Sequence, residues 1–142
     1  MTYATLAGLT DRFGLDLIVQ LTDRAAVPTG LVDAAVMARA LADADAVIDA
    51  SLAVRYRLPL DSVPAIVVDI ALSIAIYKLH RFAPDPKIKD DYDQALRDLR
   101  EIAAGTKRLD VAGIAPVSSG AGGVVTTDRA RPLTPETLTG FV

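Results

Sequence analysis

Between Pro64 and Leu79 the chain is almost uninterruptedly apolar, and polar side chains break the run only at Asp69, Ser73 and Lys78. At 3.6 residues per turn such a stretch has no polar face, so in water it belongs in the middle of a helical bundle or against a neighbouring subunit. It falls short of the roughly 20 residues that cross a bilayer, which argues for a core helix and against a membrane partner. The rest of the composition fits this reading. Hydrophobic residues make up 51% of the chain while aromatics reach only 5%. Closely packed helices tolerate that balance better than a β-sandwich does. A carboxylate inside such a helix needs a donor, and we expect Asp69 to pair structurally with Arg55, with Arg57 and Tyr56 as nearby alternatives.

The flanking segments carry helix signals of their own. Thr5 is a natural cap for a short helix ending at Phe13, with Gly14 behind it, and Asp16 for a second helix over 17–21. Thr22 to Gly30 reads as a loop. Asp33 caps a long helix to about Tyr56, whose apolar stripe includes Val36, Ala40, Ala44, Val47 and Ile48. Pro59 disfavours helix at Leu58, and Asp61 or Ser62 is positioned to cap the helix that begins near Pro64. A rigid Ala83–Pro86 turn precedes a last helix over about 87–104, stopped by Gly105. Asp93 with Arg97, and Arg97 with Glu101, have i,i+4 spacing for surface ion pairs. The expectation is all-α: a small bundle of four to five helices over 1–109, followed by an extended C-terminal arm over 110–142. The arm is rich in Gly and Pro, and such a composition orders only when a partner offsets the entropy.

Candidate chemistry is sparse. The net charge of −3 shows no basic excess of the kind that phosphate binding requires. The chain has no cysteine for a disulfide or a thiolate site, and its opening residues lack the pattern of a secretory leader, which predicts cytoplasmic synthesis. The one histidine, His80, sits at a helix end, where interaction with terminal carbonyls is the ordinary role. Asp45 and Asp49 share a helical face with Asp43 nearby, a pattern that usually marks a solvated surface. The acidic run Asp85, Asp90, Asp91 and Asp93 lacks the spacing of a calcium loop, and Gly120 to Gly123 lacks the lysine of a phosphate loop. We therefore expect no enzyme, no cofactor and no bound metal.

Several stretches nevertheless form a pattern: Leu9-Thr10-Asp11-Arg12-Phe13-Gly14, then Ala42-Asp43-Ala44-Asp45-Ala46-Val47-Ile48-Asp49, then Leu52-Ala53-Val54-Arg55-Tyr56-Arg57-Leu58-Pro59-Leu60 followed by Val63-Pro64, and a closing Leu138-Thr139-Gly140-Phe141. Together they resemble the Mu-like prophage neck proteins over nearly the whole chain. Ala50-Ser51 departs from the usual Ser-Tyr, and the Gly-rich tail matches loosely. The resemblance implies a head–tail connector, or head-completion adaptor, made in the bacterial host cytoplasm and sited in the virion neck. It further implies a ring of about twelve copies between the portal protein and the tail or head-closure (stopper) proteins, with genome DNA passing the lumen without specific binding. Lumen-facing acids would come from Asp43, Asp45, Asp90, Asp91 and Glu101. In the arm, Val124 and Val125 have β-branched character suited to strand addition, and Leu138 and Phe141 are apolar anchors for a partner pocket. The main alternative is a small helical DNA-binding or regulatory protein, which wants a basic recognition helix; a helical enzyme or metal carrier would want clustered ligands.

Overall fold

The computed structural model describes residues 1–109, and the expected 110–142 arm lies outside the described residues. Five helices follow one another: α1 (Leu6–Phe13), α2 (Leu15–Thr22), α3 (Ala34–Leu52), α4 (Ala65–Leu79) and α5 (Pro86–Ala104). No strand occurs among the described residues. The fold is all-α, as the apolar patterning demands.

Most of the helix ends are set by local chemistry. Thr5 caps α1 by accepting from the Gly8 N–H, and Asp33 caps α3 by accepting from Ala35 and Val36. Asp85 caps α5 through the Lys87 N–H at 2.9 Å, with Pro86 in the first turn where its missing donor costs nothing. Gly14, at φ +86, turns the chain from α1 into α2. Asp16 therefore lies in the first turn of α2, not at its cap. Two expected caps fail as well. Neither Asp61 nor Ser62 caps α4, which starts from the extended Pro64 without a side-chain cap. α3 stops at Leu52, ahead of the expected Tyr56, and a turn carries the chain through 53–56.

α4 is the axis of the bundle. α3 and α5 pack along it and α1 crosses it more briefly. Val67, Ile70, Ala71, Ile74, Ala75, Ile76 and Leu79 are all 2% exposed or less. The apolar helix is thus largely wrapped by its own chain, with Ile66, Val68 and Tyr77 left half-buried at its edges. The first of the two sequence-based alternatives is the one realised. On its α5 side, the Tyr77 and Tyr92 rings stack at 3.9 Å and 6°. The buried polar groups are satisfied: Ser73 donates to the Asp69 carbonyl at 3.0 Å, and Thr22 to the Ile18 carbonyl at 2.8 Å. Burying this stripe stabilises the fold by roughly 1.5–3 kcal/mol for each large aliphatic side chain.

On α5 the expected ion pairs are replaced by others. Asp93 is taken by Lys89 at 2.6 Å and Asp91 by Lys87 at 2.9 Å, while Arg97 donates to Gln94. Glu101 meets Lys107 at 3.7 Å. Exposed pairs of this kind are screened by solvent and add little to stability, so the exchange of partners changes little.

The C-terminal end of α5 is closed by a contact that spans the bundle. Gly105 adopts φ +80, and Arg55 donates from Nη1 to the Ala104 carbonyl at 3.1 Å. A Cβ added at Gly105 would fall on the Arg55 guanidinium. Gly105→Ala is expected to lower stability by at least about 1 kcal/mol, from the positive φ and the collision together. Part of that loss should vanish in an Arg55→Ala background, where the φ cost alone remains. Urea midpoints of the four proteins at constant m-value measure the coupling; strictly additive effects would mean that guanidinium and glycine do not touch.

Candidate interaction surface

Tyr3 and α3 meet where the sequence suggested only a solvated acidic face. Asp45 accepts from the Tyr3 N–H at 2.9 Å, and Asp49 accepts from the Tyr3 hydroxyl. The tyrosine is 4% exposed. The two carboxylates thus hold the N-terminal segment down, and only Asp43 of the three is left fully exposed. Burial raises the Tyr3 pKa, and the neighbouring Asp49 raises it further, because the phenolate would be both dry and beside a negative charge.

The expected Asp69–Arg55 pairing is not what forms. Asp69 accepts from Arg12 of α1, and its side chain is 64% exposed. The reason is geometric: α1 lies across α4 and brings Arg12 alongside, whereas Arg55 is drawn to the end of α5. Being exposed, the Asp69–Arg12 pair adds at most about 1 kcal/mol. His80 takes the expected helix-end role, with Nδ1 at 2.8 Å from the Ile76 carbonyl. Among the acids proposed for a lumen, Asp43, Asp90 and Glu101 are exposed, whereas Asp45 and Asp91 are half-buried and engaged by Tyr3 and Lys87. Val124, Val125, Leu138 and Phe141 lie outside the described residues.

What sequence reasoning missed is the apolar surface displayed by the connections between helices. Phe82, in the α4–α5 turn, is 84% exposed; Val27 and Leu31, between α2 and α3, are 77% and 70% exposed, and Val54 is 67% exposed. Phe82, Val27 and Leu31 lie outside any helical period, and Val54 fell off the apolar stripe of the helix expected to reach Tyr56, so no stripe drew attention to them. Phe82 forms one wall of a cavity of about 250 Å³ with Leu21, Leu79 and His80. A larger groove, about 550 Å³, opens on the other side of His80 between the α1–α2 corner and the start of α5. Exposed apolar side chains beside concavities are the usual marks of protein–protein contact. Among the described residues no group of three or more His, Cys, Asp or Glu side chains is placed to hold a metal ion. No described helix is long and apolar enough to cross a membrane.

The tyrosine clamp yields a direct prediction. Tyr3→Phe keeps the ring and removes the donor, and is expected to cost about 1–2 kcal/mol. A raised folded-state pKa means that the hydroxyl's contribution is complete below the ordinary tyrosine value of about 10 and is lost as the pH climbs beyond it. Wild-type protein should therefore lose more stability above that pH than Tyr3→Phe does. Identical alkaline slopes in denaturant titrations would remove the Asp49 contact.

The family described as "Bacteriophage Mu, Gp36" matches residues 3–127, which takes in the whole helical bundle together with Val124 and Val125. The "Mu-like prophage FluMu protein gp36" of Haemophilus influenzae is 33% identical over 108 residues, covering 75% of this chain and 74% of that protein. "Gene product J" of Escherichia phage Mu is 35% identical over 105 residues, 74% of either chain. The matched region contains Tyr3 and its α3 acceptors, the apolar α4, and the Arg55–Gly105 closure of α5. On this evidence the chain belongs to the Bacteriophage Mu Gp36 family of Mu and Mu-like prophage proteins.

Proposed function

We propose that this phage protein is a structural component of the virion, a head–tail connector that forms a ring in the neck between the portal protein and the tail or head-closure proteins. The observation that carries the reading is the distribution of apolar surface on a member of a phage family. The helical core is closed on itself around α4, and Phe82, Val27, Leu31 and Val54 stand out from the connections between helices. Such a bundle is stable as a body and presents its apolar contacts at its ends and corners, where heterologous contacts repeated around an axis can close a ring. The role is one of assembly, without catalysis or a cofactor.

Within this reading, residues 1–109 are the ring body and residues 110–142 the docking element, with Val124 and Val125 supplying strand-like contact and Leu138 and Phe141 the apolar anchors. Genome DNA passes the lumen without specific binding, past exposed acids such as Asp43, Asp90 and Glu101 that discourage adhesion. The protein is made in the host cytoplasm and joins the particle once the portal is in place.

The free protein is expected to sediment as a weakly associating species and to form a closed ring when portal is added. A chain truncated after Leu109 should keep its helical circular dichroism, since the bundle closes within those residues, yet fail to attach to portal. Co-sedimentation and cross-linking of both forms with portal provide the check. Full attachment of the truncated form would overturn the docking role of the arm, and absence of any attachment by the intact chain would overturn the connector reading. A plasmid mobility shift at physiological salt would favour the DNA-binding alternative instead.

A further inference from the structure

Two segments distant in sequence meet at one end of the bundle. Arg55, in the turn beyond α3, donates to the Ala104 carbonyl at the end of α5, and the Tyr56 hydroxyl accepts from the Leu109 N–H, both at 3.1 Å. Lys107 turns back onto Asp98. Residues 53–57 and 97–109 are thereby gathered together, and they hold six cationic side chains: Arg55, Arg57, Arg97, Arg100, Lys107 and Arg108. Their carboxylates are Asp98 and Glu101, and Lys107 reaches both, at 2.6 and 3.7 Å. Asp61, in the connection that leads on to α4, adds one more.

The other five cations are arginines without a carboxylate partner among the described residues. Arg55 and Arg100 donate to backbone carbonyls and Arg97 to the Gln94 side chain. Arg57 and Arg108 are exposed and make no hydrogen bond among those residues. Helix ends explain part of the gathering. α3 and α5 both finish here, and a helix C-terminus carries about half a negative elementary charge, so the two offset about one cation. Six cations against three carboxylates and that one unit still leave a positive surplus. Elsewhere the balance is reversed: the other described residues hold twelve Asp and Glu against seven Lys and Arg. The net charge of the chain, −3, therefore conceals a positive end on an acidic body.

We propose that this end is a sequence-independent binding site for the phosphate backbone of DNA. Its surface chemistry separates phosphate from a protein partner. A protein interface is built around a core depleted of charge, with apolar anchors, and Val54 is the one large apolar side chain exposed in these segments. Phosphate contact asks instead for several cations at separate points, and the planar donors of guanidinium groups match phosphate oxygens. The acidic remainder of the body repels the same polyanion, so contact is confined to this end. With few phosphates neutralised the affinity is modest and falls steeply with salt. Such a site reads no bases and lets DNA slide, in keeping with a genome that passes without specific binding. The inference goes beyond the connector reading and does not depend on the ring.

Fluorescence anisotropy of a short labelled duplex of arbitrary sequence, titrated with the full-length protein at several salt concentrations, tests the site. Wild-type protein should bind at about 50 mM salt and lose about tenfold or more in affinity by about 200 mM, with a logarithmic salt slope of roughly −2 to −4. Arg57→Ala with Arg108→Ala should flatten that slope by about 2, one for each phosphate contact removed, whereas Arg57→Lys with Arg108→Lys should keep it. Helical circular dichroism should be the same in all three, since neither side chain bonds within the described fold. Arg39→Ala with Lys78→Ala removes the same charge from exposed positions elsewhere and should leave the wild-type slope. Absence of binding at low salt, a slope indifferent to Arg57 and Arg108, or an equal loss from the Arg39 and Lys78 pair would overturn the site. So would tighter binding of polyglutamate than of the duplex at equal charge concentration, which would assign the end to an acidic polypeptide. Attachment to portal is scored separately: its failure sinks the connector reading alone, and failure of the anisotropy series sinks the phosphate site alone.

Discussion

α4 has nowhere to go but the centre. With polar side chains only at Asp69, Ser73 and Lys78, leaving any long side of it in water would cost the burial of several aliphatic side chains, each worth roughly 1.5–3 kcal/mol. α3 and α5 are long enough to cover it on two sides, and α1 covers a third. The few polar groups of α4 are accommodated without loss of burial: Ser73 returns a hydrogen bond to its own helix, and Asp69 emerges at an edge beside Arg12. Everything else in the bundle is arranged around that demand.

α3 then serves as the fixture for the two ends of the described chain. Near its middle, Asp45 and Asp49 hold Tyr3; in the turn beyond its end, Arg55 covers Gly105 and the Tyr56 hydroxyl accepts from the Leu109 N–H at 3.1 Å. These contacts bring residues more than forty positions apart together with few atoms. They also explain why Arg55 and Tyr56 stand side by side, one serving the helix end and the other the segment that leaves it. Leu109, the last described residue, is thereby tied to the bundle.

The proposed role in an assembly asks for a body that does not deform and surfaces that remain available. The closed core meets the first need. The second is met by connections, where Val27, Leu31, Val54 and Phe82 carry apolar side chains outward. Loops rigidified by side-chain acceptors, as Asp23 does for the tip between α2 and α3, combine exposure with a defined shape, and membership of a Mu-like phage family gives that combination its context.

The identity and order of the helices were legible in the residues alone, because helix periodicity, caps such as Thr5 and Asp33, and stops such as Gly14 and Gly105 are local properties. So was the central position of α4, since a helix without a polar face has one tolerable environment. The partners of individual polar side chains were not legible. Arg55 lies closer in sequence to Asp69 than Arg12 does, yet the crossing of α1 over α4 places Arg12 there instead. Asp45 and Asp49 read as a solvated pair because nothing local reveals that Tyr3 folds back onto them. The groove beside His80 joins α1, α2 and α5, and no single segment contains it. Periodicity specifies which face of a helix is dry, whereas the residues that meet across helices depend on crossing geometry, and that exists only once the chain has packed.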